Sequence, residues 1–132
     1  MAARQKPTPL TLPKEELVPD PTLPSPAQAY LNVLSPAGRR TQLTALNNLA
    51  FIFSDGKTSD ALTFPWHKLR YENTSSLSAH MVDIGYAKAT VNKHLVALRR
   101  VLEEAFRLGL YSDYHDYYRP AGVRCMRVEP LP

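Results

Sequence analysis

From residue 26 onward the apolar positions of this chain fall three and four residues apart, the spacing of one buried helix face. Ser25-Pro26 is a helix-start pair, with an N-cap residue followed by proline at the first helical position. It opens a short segment through Tyr30, Leu31 and Leu34. Ser35-Pro36 repeats the signal and predicts a longer helix over 36–54, with Leu43, Leu46, Leu49, Ala50 and Phe53 on one side. Gly56 ends it near Asp55. A loop over 56–65 leads through the apolar anchors Trp66 and Leu69 into a third helix, about 71–84, whose inner face is Leu77, Met81 and Ile84. Gly85 stops that helix. The fourth helix, about 88–108, has the clearest pattern: Val91, Leu95, Leu98, Leu102 and Ala105 form a stripe flanked by Val101 and Phe106. Lys93, Arg100, Glu104 and Arg107 fall on its other side, and Gly109 is placed to close it. A last short helix is expected over Ser112–Tyr118, before Pro120 and Gly122. No period-two alternation, hairpin dipeptide or internal repeat competes with this pattern. The expected fold is all-α, a bundle of four to five helices.

The first 26 residues break the pattern. They hold seven of the twelve prolines, which deny the backbone donors and the dihedral angles a helix needs. Residues 1–25 are therefore expected to be a flexible leader, a segment that a partner could also read in polyproline form. The helical domain is expected over 26–122, and 123–132 is a tail. About 106 residues then supply the core, enough for independent stability.

Length and charge narrow the reading further. The chain has 132 residues, the size of one domain, with 16 Lys+Arg against 12 Asp+Glu and a formal net charge of +4. The leader balances Arg4, Lys6 and Lys14 against Glu15, Glu16 and Asp20, so the whole surplus lies in 27–132. That permits a nucleic-acid partner without requiring one. No apolar run reaches the eighteen or so residues of a membrane span, and no apolar segment follows the start as in a secretory signal. The single Cys125 can form no internal disulfide and has no second cysteine beside it to hold a metal, which points to a reducing cytoplasm.

Candidate chemistry is sparse. His67, His80, His94 and His115 show no metal-ligand spacing, and no Gly-rich phosphate loop exists. His94 lies on the flank of the fourth helix's stripe, where a packing or surface role suits it better than that of a ligand or base. Tyr111, Tyr114, Tyr117 and Tyr118 cluster near the end, where three of them share a spacing suited to covering the core. No reaction centre, metal site or cofactor is expected.

A binding surface is better represented. Arg39, Arg40 and Thr41 occupy the first turns of the second helix, with Gln42 and Thr44 beside them and no acid before Asp55. Lys88, Thr90, Asn92 and Lys93 occupy the start of the fourth. Helix starts offer free backbone donors and a favourable dipole to phosphate, and these side chains suit phosphate oxygens and base edges. Spacing alone fits an ordinary solvated helix surface as well.

The run Ala89-Thr90-Val91-Asn92-Lys93-His94-Leu95-Val96-Ala97-Leu98-Arg99 resembles the T-x-N-x-x-L-x-A-L-R helix of tyrosine recombinases, in the N-terminal core-binding (SAM-like) domain of phage integrases. Ala29-Tyr30-Leu31 with Leu34-Ser35, then Arg39-Arg40-Thr41 and the Leu46–Phe53 stripe, Pro65-Trp66, Leu69-Arg70-Tyr71 and Arg107-Leu108-Gly109-Leu110 follow in the family's order, so the resemblance covers roughly 26–125. It implies one half of a clamp on double-stranded DNA, with the second and fourth helices at the major groove of a recombination half-site. The positions it assigns to DNA are Arg39, Arg40, Thr41, Lys88, Thr90, Asn92 and Lys93. Arg99 belongs to the family pattern as a packing or pairing residue, whereas Arg100 lies on the charged face and joins the candidate contacts. Lys88 departs from the Ser or Thr cap of many relatives and offers a phosphate contact instead. The family's catalytic Arg, Lys, His-x-x-Arg and nucleophilic Tyr have no counterpart. Glu129-Pro130-Leu131-Pro132 resembles the linker to that catalytic domain. The resemblance thus implies DNA binding without cleavage, no cofactor, other recombinase protomers as partners in the longer protein, and a place at the bacterial nucleoid rather than a membrane. A helical protein-interaction module and a stand-alone DNA-binding regulator are the alternatives.

Overall fold

The computed structural model describes residues 10–110, and these are all-helical, with no strand among them. Five helices are present among the described residues: α1 (Pro26–Asn32), α2 (Pro36–Phe53), α3 (Tyr71–Ser75), α4 (Leu77–Asp83) and α5 (Lys88–Arg107). Single 3-10 turns stand at Lys14–Glu16 and Trp66–Lys68. None of the helices is long and apolar enough to cross a membrane. The helix expected over Ser112–Tyr118, the tail 123–132 and Cys125 lie outside the described residues.

The starts of α1 and α2 follow from their serine-proline pairs. Ser25 Oγ accepts from the Gln28 amide at 3.1 Å and Ser35 Oγ from the Gly38 amide at 3.2 Å, each removing one orphan donor. The ends of α2, α4 and α5 share one device. At the end of α5, Leu110 N–H reaches Ala105 O and Gly109 N–H reaches Phe106 O, with Gly109 left-handed at φ 75°. α4 closes in the same way on Gly85 and Tyr86. In α2 the left-handed residue is Asp55, at φ 57°, and the glycine comes one position later than this motif usually places it.

α5 is the centre of the fold. Its stripe, Val91, Leu95, Leu98 and Leu102 with Ala97, Val101 and Ala105, is buried, and the helix packs on α1, α2, α4 and the Trp66 turn. Leu46, Leu49 and Phe53 of α2, Leu77 and Met81 of α4, and Trp66 and Leu69 complete the core. Trp66 lies edge-on to Phe64 at 4.6 Å and gives its indole N–H to Ala61 O at 2.9 Å, so its one polar atom is satisfied inside.

Two expectations change. The helix anticipated over 71–84 is two helices meeting at Ser76. The break falls in Asn73-Thr74-Ser75-Ser76, short polar side chains that compete for the backbone. Asn73 is buried because its amide works elsewhere: Oδ1 accepts from the Arg70 amide at 2.8 Å and Nδ2 donates to Thr11 O at 3.3 Å. Ile84, expected on the inner face, is 53% exposed.

The second concerns the leader. From Leu10 on it is not free. Leu10 and Leu12 are buried in the main core, and the Leu12 amide donates to Phe53 O at 2.9 Å, at the end of α2. Proline forbids a helix there, yet it allows an extended strap whose few leucines are buried. Leu12→Ala is therefore expected to lower stability by about 2 kcal/mol, as a buried leucine truncation does, measured by urea unfolding. An unchanged midpoint would mean a detached leader.

A pH effect follows from His67, half-buried on the Trp66 turn. Burial first, then the charges of Lys68 and Arg70, push its imidazole below the ordinary histidine range, while Asp20 pulls partly the other way. The fold thus resists protonation that the unfolded chain accepts, so this contribution is present above about pH 6.5 and is lost as pH falls through the depressed value. The melting temperature of His67→Gln is expected to fall less between pH 7 and pH 5 than that of the unaltered chain.

Candidate nucleic-acid interface

The first half of α2 and the first turns of α5 lie side by side and leave a groove of about 600 Å³ between them. α2 lines it with Thr41, Gln42, Thr44, Ala45 and Asn48, and α5 with Thr90, Lys93 and His94. Tyr86, from the turn before α5, closes one end. No carboxylate lines it among the described residues.

Its floor is a polar seam between the helices. Asn48 Nδ2 donates to the Tyr86 hydroxyl at 2.7 Å and lies 3.3 Å from His94 Nε2. His94 Nδ1 is 2.8 Å from Thr90 O, which can only accept. The proton therefore sits on Nδ1, which leaves Nε2 to accept from Asn48. Tyr86 meets the imidazole edge-on at 5.7 Å, and the histidine is only 8% exposed. His94 is a joint between the helices, as its place beside the apolar stripe suggested.

The hydroxyls on α2 point their protons inward along the helix. Thr41 Oγ1 donates to Ala37 O at 3.2 Å and Thr44 Oγ1 to Arg40 O at 3.0 Å. What they leave for the groove is a methyl group and lone pairs.

The residues singled out from sequence divide accordingly. Thr41, Thr90 and Lys93 line the groove together. Arg40 is exposed on α2, and Lys88 is the half-exposed first residue of α5. The N-cap of α5 is Ala87 rather than Lys88, and no side chain caps it, so first-turn amides keep their donors. Among the described residues the ion pairs are Arg100–Glu103 and Arg107–Glu104, which leaves Arg40, Lys88 and Lys93 without a carboxylate partner.

Arg39 and Arg100 are engaged elsewhere. Arg39 Nε donates to Leu31 O at 3.1 Å and Nη2 to Leu34 O at 3.0 Å, so its guanidinium ties the end of α1 to the start of α2. Arg100 lies two turns beyond Lys93, 3.7 Å from Glu103. It also faces α1: burial pushes the Tyr30 phenol up, and the Arg100 charge partly offsets that. Asn92 is half-buried and does not line the groove. Arg99, from the same run, is half-buried with its Nε enclosed and unpaired.

Sequence reasoning passed over Asn48 and Tyr86. The only available signal was the four-residue step from Thr44 to Asn48, and nothing marked Tyr86. Comparison with protein-family models, curated proteins and solved structures returns no match for this chain.

The seam has a measurable worth. Asn48→Ala removes the donor shared by Tyr86 and His94 and is expected to cost about 1–2 kcal/mol, whereas Tyr86→Phe leaves the His94 bond and costs about 1. Chemical denaturation followed by far-UV circular dichroism checks both. Equal stability of Asn48→Ala and the unaltered chain would mean that the seam contributes nothing.

Proposed function

We propose that this chain binds double-stranded DNA as the core-binding domain of a tyrosine-type site-specific recombinase, holding one recombination half-site. The observation that carries the reading is the groove between α2 and α5. It joins two helix starts that the sequence treats separately, is lined by Lys93 and by no carboxylate among the described residues, and the same two helices carry Arg40 and Lys88, which like Lys93 have no acidic partner among those residues. The resemblance of the α5 run to the recombinase helix names the family, and the groove supplies the face.

In this reading Lys93, at the groove, and Arg40 and Lys88, on the same two helices, meet phosphates. The uncapped amides of α5 add a phosphate-binding end. Arg39 supports the site by holding α1 against α2. DNA cleavage belongs to a further domain of the longer protein, as do contacts with other protomers, and the reading needs no metal or small cofactor. The reading places the protein at the bacterial nucleoid.

The rival reading, a protein-interaction module, draws on a second hollow behind the Asn48–Tyr86 wall, where Phe51 and Ile84 are 51% and 53% exposed. The two readings separate on salt. With these three cations free of carboxylates among the described residues, the affinity for a random duplex should fall with log salt at a slope of about −2 to −3 or steeper. Lys93→Ala should lower that slope by about one and leave the melting temperature unchanged. Arg39→Ala should lower the melting temperature, because it takes from Leu34 O its side-chain donor and from Leu31 O one of its donors, and so unties α1 from α2. Absence of duplex binding at low salt, with capture of a protein partner through Phe51, would favour the rival.

A further inference from the structure

The hollow behind the Asn48–Tyr86 wall is a second surface. It occupies about 710 Å³ between the C-terminal half of α2 and α4, with Leu10 of the strap beside them. Phe51 and Ile52 of α2 and Ile84 at the end of α4 give it an apolar lining. Phe51 is 51% and Ile84 53% exposed. Single apolar side chains at a surface are ordinary, but these two share one hollow, and a partner that covers them removes apolar area from water.

Its charge opposes that of the chain. The protein carries a surplus of +4, yet Asp55 and Asp83 line the hollow and no Lys or Arg does among the described residues. Neither aspartate has an ion-pair partner among those residues. α2 ends here, so the negative end of its dipole adds to their field. His80 is the one lining group able to carry positive charge, and Lys57, next after Gly56, lines a different hollow under the strap. A duplex is unwelcome at such a surface, and a cationic partner is favoured. The shape narrows the choice further. Small-ligand sites enclose most of their ligand, whereas Phe51 and Ile84 stand half in solvent and suit a partner with an apolar face of its own. No strand edge exists among the described residues to pair with an extended peptide. An apolar hollow bounded by two helices fits the helix-in-groove mode.

We propose that this hollow docks a basic amphipathic helix of a partner protein, whose apolar stripe covers Phe51 and Ile84 and whose flanking Lys or Arg side chains meet Asp55 and Asp83. An acidic helix is rejected by like charge. The site is separate from the groove lined by Lys93, and it stands whether or not that groove binds DNA.

The full 132-residue chain is titrated with two labelled helical peptides, and binding is read by fluorescence anisotropy. One, of about fifteen residues, carries leucines three and four positions apart with lysines on either side of the stripe. The other has glutamate in place of every lysine. The basic peptide is expected to bind at least about tenfold more tightly than the acidic one. Asp55→Asn combined with Asp83→Asn should weaken it about fivefold and flatten its salt dependence. Asparagine tolerates the left-handed backbone at position 55, so that variant keeps the turn. Phe51→Ser should weaken the basic peptide about tenfold and bind random duplex as the unaltered chain does. Ile84→Ser repeats this arm should Phe51→Ser melt lower. No binding of the basic peptide at low salt overturns the proposal, as does equal affinity for both peptides or undiminished affinity in both serine variants. A dimer that sedimentation detects in the unaltered chain and not in Phe51→Ser also overturns it, by assigning the hollow to a second copy. So does a gain in peptide affinity on combining Arg4→Gln with Lys6→Gln, which assigns it to the start of the chain itself. Peptide binding without duplex binding upholds the hollow and rejects the DNA reading, whereas duplex binding without peptide binding rejects only the hollow.

Discussion

Everything in this molecule hangs on the burial of one stripe along α5. Val91, Leu95, Leu98 and Leu102 cannot be covered by a single neighbour, so α1, α2, α4 and the Trp66 turn gather around the helix from different directions. The apolar area removed from water is the main term holding them there. Because α5 is central, its register also sets where its first turns emerge beside α2. The groove is therefore a consequence of the core: the helix starts meet where the stripe ends.

At that point packing gives way to hydrogen bonding. Asn48, Tyr86 and His94 are polar groups at the margin of a dry interior, where unmet donors and acceptors are costly. They satisfy one another, with Thr90 O fixing the tautomer, and so hold the two helices at a set separation without filling the space above them. Arg39 does similar work on the other side of α2, by binding the last carbonyls around α1. Thus of two adjacent exposed arginines Arg39 is bonded to the end of α1, while Arg40 has no carboxylate partner among the described residues. The division between engaged and available cations is set by proximity to carbonyls and carboxylates, not by residue type.

Much of the fold was legible in the chain. The serine-proline starts, the glycines after α4 and α5 and the stripe of α5 each act through local geometry, which the residues themselves carry. The division of the third helix was less visible. Asn73 to Ser76 have the polar character of a break, but the apolar spacing of Leu77 and Met81 continued a plausible helix across it. The strap was hidden for another reason. Prolines state what the backbone cannot do, and nothing in Leu10 or Leu12 says that the end of α2 lies within reach. At the candidate site, Thr41, Thr90 and Lys93 were readable as polar residues at helix starts, whereas the seam formed by Asn48 and Tyr86 joins positions 38 residues apart.

By itself, then, the sequence determined the helices, most of their ends, the inner face of α5 and the basic character of two helix starts, because spacing, capping and charge are local properties. Only the tertiary structure decided which of those residues share a groove and which arginine is engaged. Those are relations between distant segments, made by the packing of α2 against α5, and no local pattern encodes them.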